Sequence, residues 1–122
     1  MPARPLCHID GLEEGSARGF ALDHQGRDSL FLVRHEGSVY GWRNDCPHWP
    51  GSPMAWRRDG YLNRDASRIV CSGHGAEFEI TTGRCTLGPC LGSSLSPVEL
   101  EIDARGWILA AIDVDTPVSP RD

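Results

Sequence analysis

The feature that most constrains this chain is the pairing of one cysteine with one histidine, which occurs twice. Cys46-Pro47-His48 forms the first pair, and Cys71-Ser72-Gly73-His74 forms the second, with residues 49–70 between them. Thiolates and imidazoles are preferred ligands of zinc and iron in proteins. Four such donors in two short segments predict a closed metal site, so the fold must bring two separate loops together.

The length and the charge limit what else the chain can be. Its 122 residues are enough for one compact domain. The chain has 12 Lys and Arg against 17 Asp and Glu, a formal net charge of −5. This acidic balance argues against nucleic-acid binding and allows docking to a basic protein partner.

The N-terminal segment predicts the cellular compartment. Residues 1–14 carry charges and have no continuous apolar stretch, so they predict neither a secretory signal nor a membrane anchor. We therefore expect a cytoplasmic protein with no membrane association. In that reducing compartment, clustered cysteine and histidine more often bind metal than form disulfides.

The pattern of apolar residues predicts an all-β fold. Residues 19–42 read as a meander with a turn at 34–37, and residues 97–112 read as a closing hairpin. Between them, residues 44–94 concentrate glycine, proline, cysteine and histidine and form a functional insert. We predict an antiparallel β framework with a loop-rich subdomain, a single domain over residues 1–113, and a C-terminal tail over 114–122.

The motif order resembles that of a known family. A Cys-x-His pair followed by Cys-x-x-His-Gly, with Thr82-Gly83 and Gly88-Pro89 downstream, resembles a small soluble Rieske ferredoxin. The resemblance implies a Rieske-type iron–sulfur fold with one 2Fe-2S cluster per chain. It also implies that Gly88-Pro89 forms a lid loop over the cluster.

The resemblance also assigns ligand roles. It implies that Cys46 and Cys71 bind the inner iron and that His48 and His74 bind the outer iron, near the surface. Neutral imidazoles in place of two thiolates reduce the negative charge of the ligand set, which raises the reduction potential above that of an all-cysteine cluster.

Other positions indicate the type of Rieske protein. The resemblance implies that high-potential respiratory members carry a serine, a tyrosine and an inter-loop disulfide near the cluster. The corresponding positions here are Ala76, Phe78, Gly51 and Gly73. Because hydrogen bonds to the sulfur atoms raise the potential, we expect the low-potential type without the disulfide.

The implied function is one-electron transfer from an NAD(P)H-linked flavin reductase to a terminal oxygenase. The chain has no second His/His/carboxylate iron motif, so we expect a component of an oxidoreductase system rather than a catalyst by itself. One alternative is a Rieske-type small subunit of a nitrite reductase or another oxidoreductase. An alternative from a different class is a structural Cys2His2 zinc interaction module. The sequence does not indicate the oligomeric state.

Further cysteine and histidine residues need separate interpretation. Cys85 and Cys90 stand close to the lid motif, and we favour buried free thiols over a disulfide between them. Cys7-His8 has no matching second pair, so we expect a structural role. His35 lies in a polar turn segment and is predicted to be exposed.

Overall fold

The computed structural model describes residues 3–20, 30–44, 59–71, 75–88 and 91–111. Within these ranges the chain forms nine β-strands and a short 3-10 helix, Ile9–Gly11. The strands are β1 (Ala3–His8), β2 (Ala17–Phe20), β3 (Leu30–His35), β4 (Ser38–Arg43), β5 (Ile69–Cys71), β6 (Ala76–Phe78), β7 (Cys85–Leu87), β8 (Glu99–Ile102) and β9 (Trp107–Ala111). The predicted all-β class is therefore confirmed.

Sheet I has the strand order β1-β9-β8, and all its pairs are antiparallel. The hairpin of β8 and β9 matches the prediction for residues 97–112. Strand β1 was not predicted, because its register shifts between Pro5 and Cys7. That irregularity turns two consecutive side chains, Leu6 and Cys7, into the core, which removes the apolar alternation typical of a strand.

Sheet II has the strand order β2-β3-β4 and is the predicted meander. Strand β3 begins with four fully buried residues in a row, because each face of this strand packs against a different core. Phe31 and Val33 belong to one core, and Leu30 and Leu32 belong to the other. A continuous apolar run is therefore compatible with a strand at this position.

The turn between β3 and β4 is shorter than predicted, because β3 continues through His35. Glu36 and Gly37 have φ values of 52° and 80°, so both central residues of this two-residue turn are left-handed. Both backbone amides donate to the Glu14 carboxylate, at 2.7 and 2.8 Å. The side chain of His35 is only 27% exposed, so the prediction of an exposed histidine is wrong.

Sheet III has the strand order β5-β6-β7 and carries the second Cys/His segment. The ladder pairs Ile69 with Phe78 and Cys71 with Ala76, and all four side chains are fully buried. They share a core with Phe31 of sheet II, whose ring stacks on Tyr61 with ring centroids 4.1 Å apart. The small sheet is thus joined to the framework by a continuous apolar core.

Within the described part of the chain, no helix is long and apolar enough to cross a bilayer. The prediction that residues 114–122 form a tail lies outside the described residues. The boundary of the predicted single domain at residue 113 also stays a prediction.

Candidate metal centre

Cys71 is the predicted ligand that the structure describes. It is the last residue of β5, and its side chain is fully buried. Its backbone carbonyl accepts a hydrogen bond of 2.9 Å from the amide of Gly75. Gly75 has a left-handed φ of 69°, a conformation that glycine adopts without steric cost. Because β5 and β6 are antiparallel, with Cys71 opposite Ala76, this thiol lies at the end of the β5-β6 ladder.

The remaining predicted ligands, Cys46, His48 and His74, lie outside the described residues. The described ranges accordingly contain no group of three or more metal-binding side chains. Strand β4 leads toward the first predicted loop, and its Trp42 lies in the same core as Cys71. The strands that precede the two loops thus share one core.

Gly88, the described residue of the predicted lid motif, lies against the first residue of β6. Gly88 has a φ of 98°, and a Cβ atom at this position would lie 2.9 Å from the Cα atom of Ala76. Ala76 follows the predicted ligand His74 by two positions, so the approach brings the two segments into direct backbone contact. Pro89 lies outside the described residues. That Gly88-Pro89 forms a lid over a cluster stays a prediction.

The Thr82-Gly83 motif has a structural role that the sequence analysis did not assign. The Thr82 hydroxyl donates to the Glu79 carboxylate at 2.9 Å, and the Gly83 amide donates to the Glu79 carbonyl at 2.9 Å. A Cβ atom on Gly83 would lie 2.6 Å from the Trp42 ring. The motif therefore shapes the turn between β6 and β7 and seats it on Trp42 of the framework.

A hydrogen-bonded loop fixes the start of β5. The Asn63 side-chain carbonyl accepts from the amides of Ser67 and Arg68, at 2.9 and 3.0 Å. The Ser67 hydroxyl and amide both donate to Asp65, and these hydrogen bonds hold the pKa of that carboxyl below its usual value. Such a loop holds β5, and hence Cys71, in one register.

The side chains next to Cys71 are apolar. Ala76 and Phe78 are fully buried and carry no hydroxyl, so neither can donate a side-chain hydrogen bond to a sulfur atom. Cys85 is also buried, and its thiol donates to the Leu87 carbonyl at 3.3 Å. Cys90 lies outside the described residues, so the absence of a Cys85–Cys90 disulfide stays a prediction.

The Cys7-His8 pair has structural contacts. Cys7 is buried in the core that lies between sheets I and II. The His8 Nε2 atom is 2.6 Å from the Arg105 carbonyl, and its Nδ1 atom accepts from the Asp10 amide at 3.1 Å. Both ring nitrogens thus have protein partners, in agreement with the structural role that we expected.

The described residues form an all-β framework with a small third sheet, whose first strand ends at the buried thiol of Cys71. The sequence model of the Rieske [2Fe-2S] domain matches residues 3–106. The chain therefore belongs to the Rieske [2Fe-2S] domain family, as its motifs indicated. The donor set of two thiols and two imidazoles fits the cluster of this family, one per chain, which supplies a one-electron couple when bound.

Solved structures of small ferredoxins resemble this chain over nearly its whole length. The ferredoxin of carbazole 1,9a-dioxygenase from Nocardioides aromaticivorans IC177 is 25% identical, with a TM-score of 0.69 over 93% of this chain and 100% of that chain. The Sphingomonas yanoikuyae B1 ferredoxin is 24% identical, with a TM-score of 0.66 over 89% of this chain and 97% of that one. These likenesses confirm the fold, and the first supports the role of a Rieske ferredoxin-type electron carrier.

Two curated relatives are similar over part of the chain. Apoptosis-inducing factor 3 of Mus musculus and that of Homo sapiens are each 36% identical over 78 residues. Each match spans 64% of this chain and 11% of the relative. The chain therefore corresponds to a small part of these longer proteins.

Proposed function

We propose that this chain shuttles single electrons from an NAD(P)H-linked flavin reductase to a terminal oxygenase. The observation that carries the proposal is the structural likeness to the full length of a ferredoxin from a dioxygenase system. Another similar structure is a complex of reduced oxygenase and oxidized ferredoxin of carbazole 1,9a-dioxygenase, at 22% identity and a TM-score of 0.67. The acidic net charge of −5 allows long-range attraction to basic redox partners.

We assign the cluster ligands to Cys46, His48, Cys71 and His74. The placement of Cys71 supports this assignment, because its buried thiol stands at the end of β5 beneath the tight Gly75 turn. In this assignment the two cysteines hold the inner iron and the two histidines hold the outer iron, on the side that a partner approaches. Gly88 lies close to Ala76, the first residue of β6, two positions after the proposed ligand His74.

The apolar surroundings of Cys71 support a low-potential carrier. Ala76 and Phe78 stand where high-potential Rieske proteins have a serine and a tyrosine, and neither offers a hydroxyl donor. The sulfur atoms of a bound cluster would therefore lack two hydrogen bonds that favour the reduced state. We expect a potential in the lower part of the Rieske range, which runs from about −150 to about +300 mV. Such a potential suits electrons from a reduced flavin better than electrons from a quinol.

The ligand assignment is tested by anaerobic purification and metal analysis. The wild-type chain should contain iron and acid-labile sulfide and show a rhombic EPR signal after reduction. The variants Cys71→Ser, His48→Ala and His74→Ala should lose this signal, whereas Cys85→Ser, also a buried thiol in the same core, should keep it. A colourless protein with tightly bound zinc would instead support the interaction-module alternative.

The donor assignment is tested by following the visible absorption of the oxidised chain. NADH together with the flavin reductase of a ring-hydroxylating system should bleach it, and a quinol should not. Addition of the matching oxygenase under air should restore the absorption. Reduction by the quinol alone would contradict the proposed donor.

A further inference from the structure

A groove lies between the edge strands of sheets I and II. Strand β8 is at one edge of sheet I, and β4 is at one edge of sheet II. Residues 39–42 of β4 line the groove, together with Thr81 from the turn between β6 and β7 and with Pro97, Val98 and Leu100. Its volume of about 310 Å³ is at the lower end of the roughly 300–1,000 Å³ that is typical of small-molecule pockets. The groove therefore has room for a molecule of one or two rings.

Backbone hydrogen bonds hold the two walls of the groove together. The Val98 amide donates to the Gly41 carbonyl, and the Arg43 amide donates to the Ser96 carbonyl, each at 2.9 Å. A Cβ atom on Gly41 would lie 3.1 Å from Leu100, so the glycine lets this side chain lie against β4. The groove is thus part of the fold and is formed before any ligand binds.

The groove is lined by uncharged side chains. The charged residues that adjoin the lining residues along the chain, Arg43, Glu99 and Glu101, do not line it, and both glutamates are exposed. Arg34 is the register partner of Val39, and its guanidinium donates to two backbone carbonyls of the segment between β1 and β2. Among the described residues, a charged ligand in the groove would therefore lose its hydration without gaining a counter-charge. The lining favours a neutral ligand.

Trp42 contributes a hydrogen-bond donor that has no acceptor in the described part of the chain. The residue is 5% exposed, and its indole Nε1 atom is shielded from solvent and has no hydrogen-bond partner. Arg34 Nε shares this property, but that guanidinium donates through another nitrogen, whereas an indole has a single donor. Buried polar groups in proteins nearly always have a partner. An unpaired donor on a residue that lines a groove therefore indicates an acceptor that the protein itself does not supply.

We propose that this groove binds a small, neutral aromatic molecule whose carbonyl oxygen accepts a hydrogen bond from the Trp42 indole. Three lining residues, Tyr40, Trp42 and Pro97, carry rings against which a flat molecule can pack. Because the indole N–H is covered in the free chain, a lining side chain must turn aside on binding, and Leu100, which is only partly buried, can do so. The inference goes beyond electron transfer, since the groove includes none of the proposed cluster ligands, and binding forms or breaks no covalent bond.

The hydrogen bond is tested with two probes of the same shape, 2-acetylnaphthalene and 2-isopropenylnaphthalene, in which a methylene group replaces the carbonyl oxygen. Their dissociation constants for the holoprotein are measured by equilibrium dialysis. The ketone should bind one-to-one, and its affinity relative to that of the hydrocarbon should fall at least about fivefold in Trp42→Phe, which keeps an aromatic ring but has no N–H. The relative affinity cancels the difference in hydrophobicity between the probes, because both proteins are compared with the same pair.

The place of binding is tested by filling the groove from its surface. Thr81 is exposed and lines the groove, so Thr81→Phe should weaken the binding of both probes at least about tenfold without disturbing the core. Thr86 is also exposed but does not line the groove, and Thr86→Phe should leave both dissociation constants within about twofold of the wild type. The melting temperature and the visible absorption of each variant establish that it is folded and holds its cluster.

Each outcome decides for or against the site. If 2-acetylnaphthalene does not bind to the wild-type holoprotein in a saturable way, the groove is not a site for such a molecule. Equal binding by Thr81→Phe and Thr86→Phe would place the probe elsewhere and would also overturn the proposal. An unchanged preference for the ketone in folded Trp42→Phe would remove the indole from it. None of these results bears on iron, sulfide or electron transfer, so the proposed function would stand or fall separately.

Discussion

Substitution of Gly88 by alanine tests the contact between the predicted lid and the start of β6, which follows the predicted ligand His74. The Cβ atom of alanine would lie 2.9 Å from the Cα atom of Ala76 and 3.3 Å from its amide nitrogen. Carbon atoms in ordinary contact are about 3.5–4.0 Å apart, so the lid would have to move outward by about 0.6 Å or more. We expect Gly88→Ala to destabilise the protein and to open the cluster to solvent.

Gly92 supplies a matched control for the backbone conformation. Its φ of 91° is close to the 98° of Gly88, but a Cβ atom on Gly92 would meet nothing within 4 Å. Both variants should therefore carry the left-handed penalty of about 1–2 kcal/mol. Only Gly88→Ala should carry the additional overpacking penalty of about 1–3 kcal/mol.

The difference is large enough to measure by thermal unfolding of the holoprotein. For a domain of this size, 1 kcal/mol shifts the Tm by roughly 4 °C, so Gly88→Ala should melt at least about 4 °C below Gly92→Ala. It should also lose iron to a chelator faster and shift the reduction potential, whereas Gly92→Ala should keep the wild-type values. Equal melting temperatures and equal iron-release rates in the two variants would refute the inferred contact.

Two further predictions concern the framework. Gly83→Ala should lower the Tm more than Gly15→Ala, although both glycines have a left-handed φ. A Cβ atom on Gly83 would lie 2.6 Å from the Trp42 ring, whereas a Cβ atom on Gly15 would meet nothing within 4 Å. The absorption of the assembled cluster should be unchanged in Gly83→Ala, and an unaltered Tm would contradict the contact with Trp42. The backbone amides of Gly37 and Glu36 donate to the Glu14 carboxylate and lower its pKa from the usual 4.5. The charged carboxylate therefore stabilises the folded state above that pH, and this contribution is lost as the pH falls through the folded-state pKa. Urea unfolding should show wild type more stable than Glu14→Gln at pH 6, with the difference shrinking toward pH 3.5; a constant difference would contradict the role of its charge.

The sequence predicted those parts of the fold whose pattern is local. The meander and the closing hairpin were found from short apolar runs between turn residues, and β3 was recognised although both of its faces are buried. Strand β1 was missed because its irregular register hides the alternation. Strand β7 was missed because only Cys85 of its three residues is buried, so the segment lacks an apolar pattern.

For the candidate site, the sequence predicts the donor residues but not the contacts that support them. The Cys/His spacing indicated a metal ligand at Cys71, and the structure places that thiol in the core at a strand end. The packing of Gly83 on Trp42 and of Gly88 on Ala76 depends on segments that are brought together only by the fold. Spacing along the chain contains no information about such distances.

The pairing of β1 with β9 has a consequence for synthesis on the ribosome. Strand β9 is the central strand of sheet I, and it joins β1, from the beginning of the described chain, to β8. Among the described strands, β5, β6 and β7 pair only with their neighbours in sequence, so their contacts close short loops, which generally form faster than distant ones. The β5-β6 hairpin, which carries the predicted ligand Cys71, can therefore form before β9 has been made and pairs with β1, so that metal binding at this hairpin need not follow completion of sheet I.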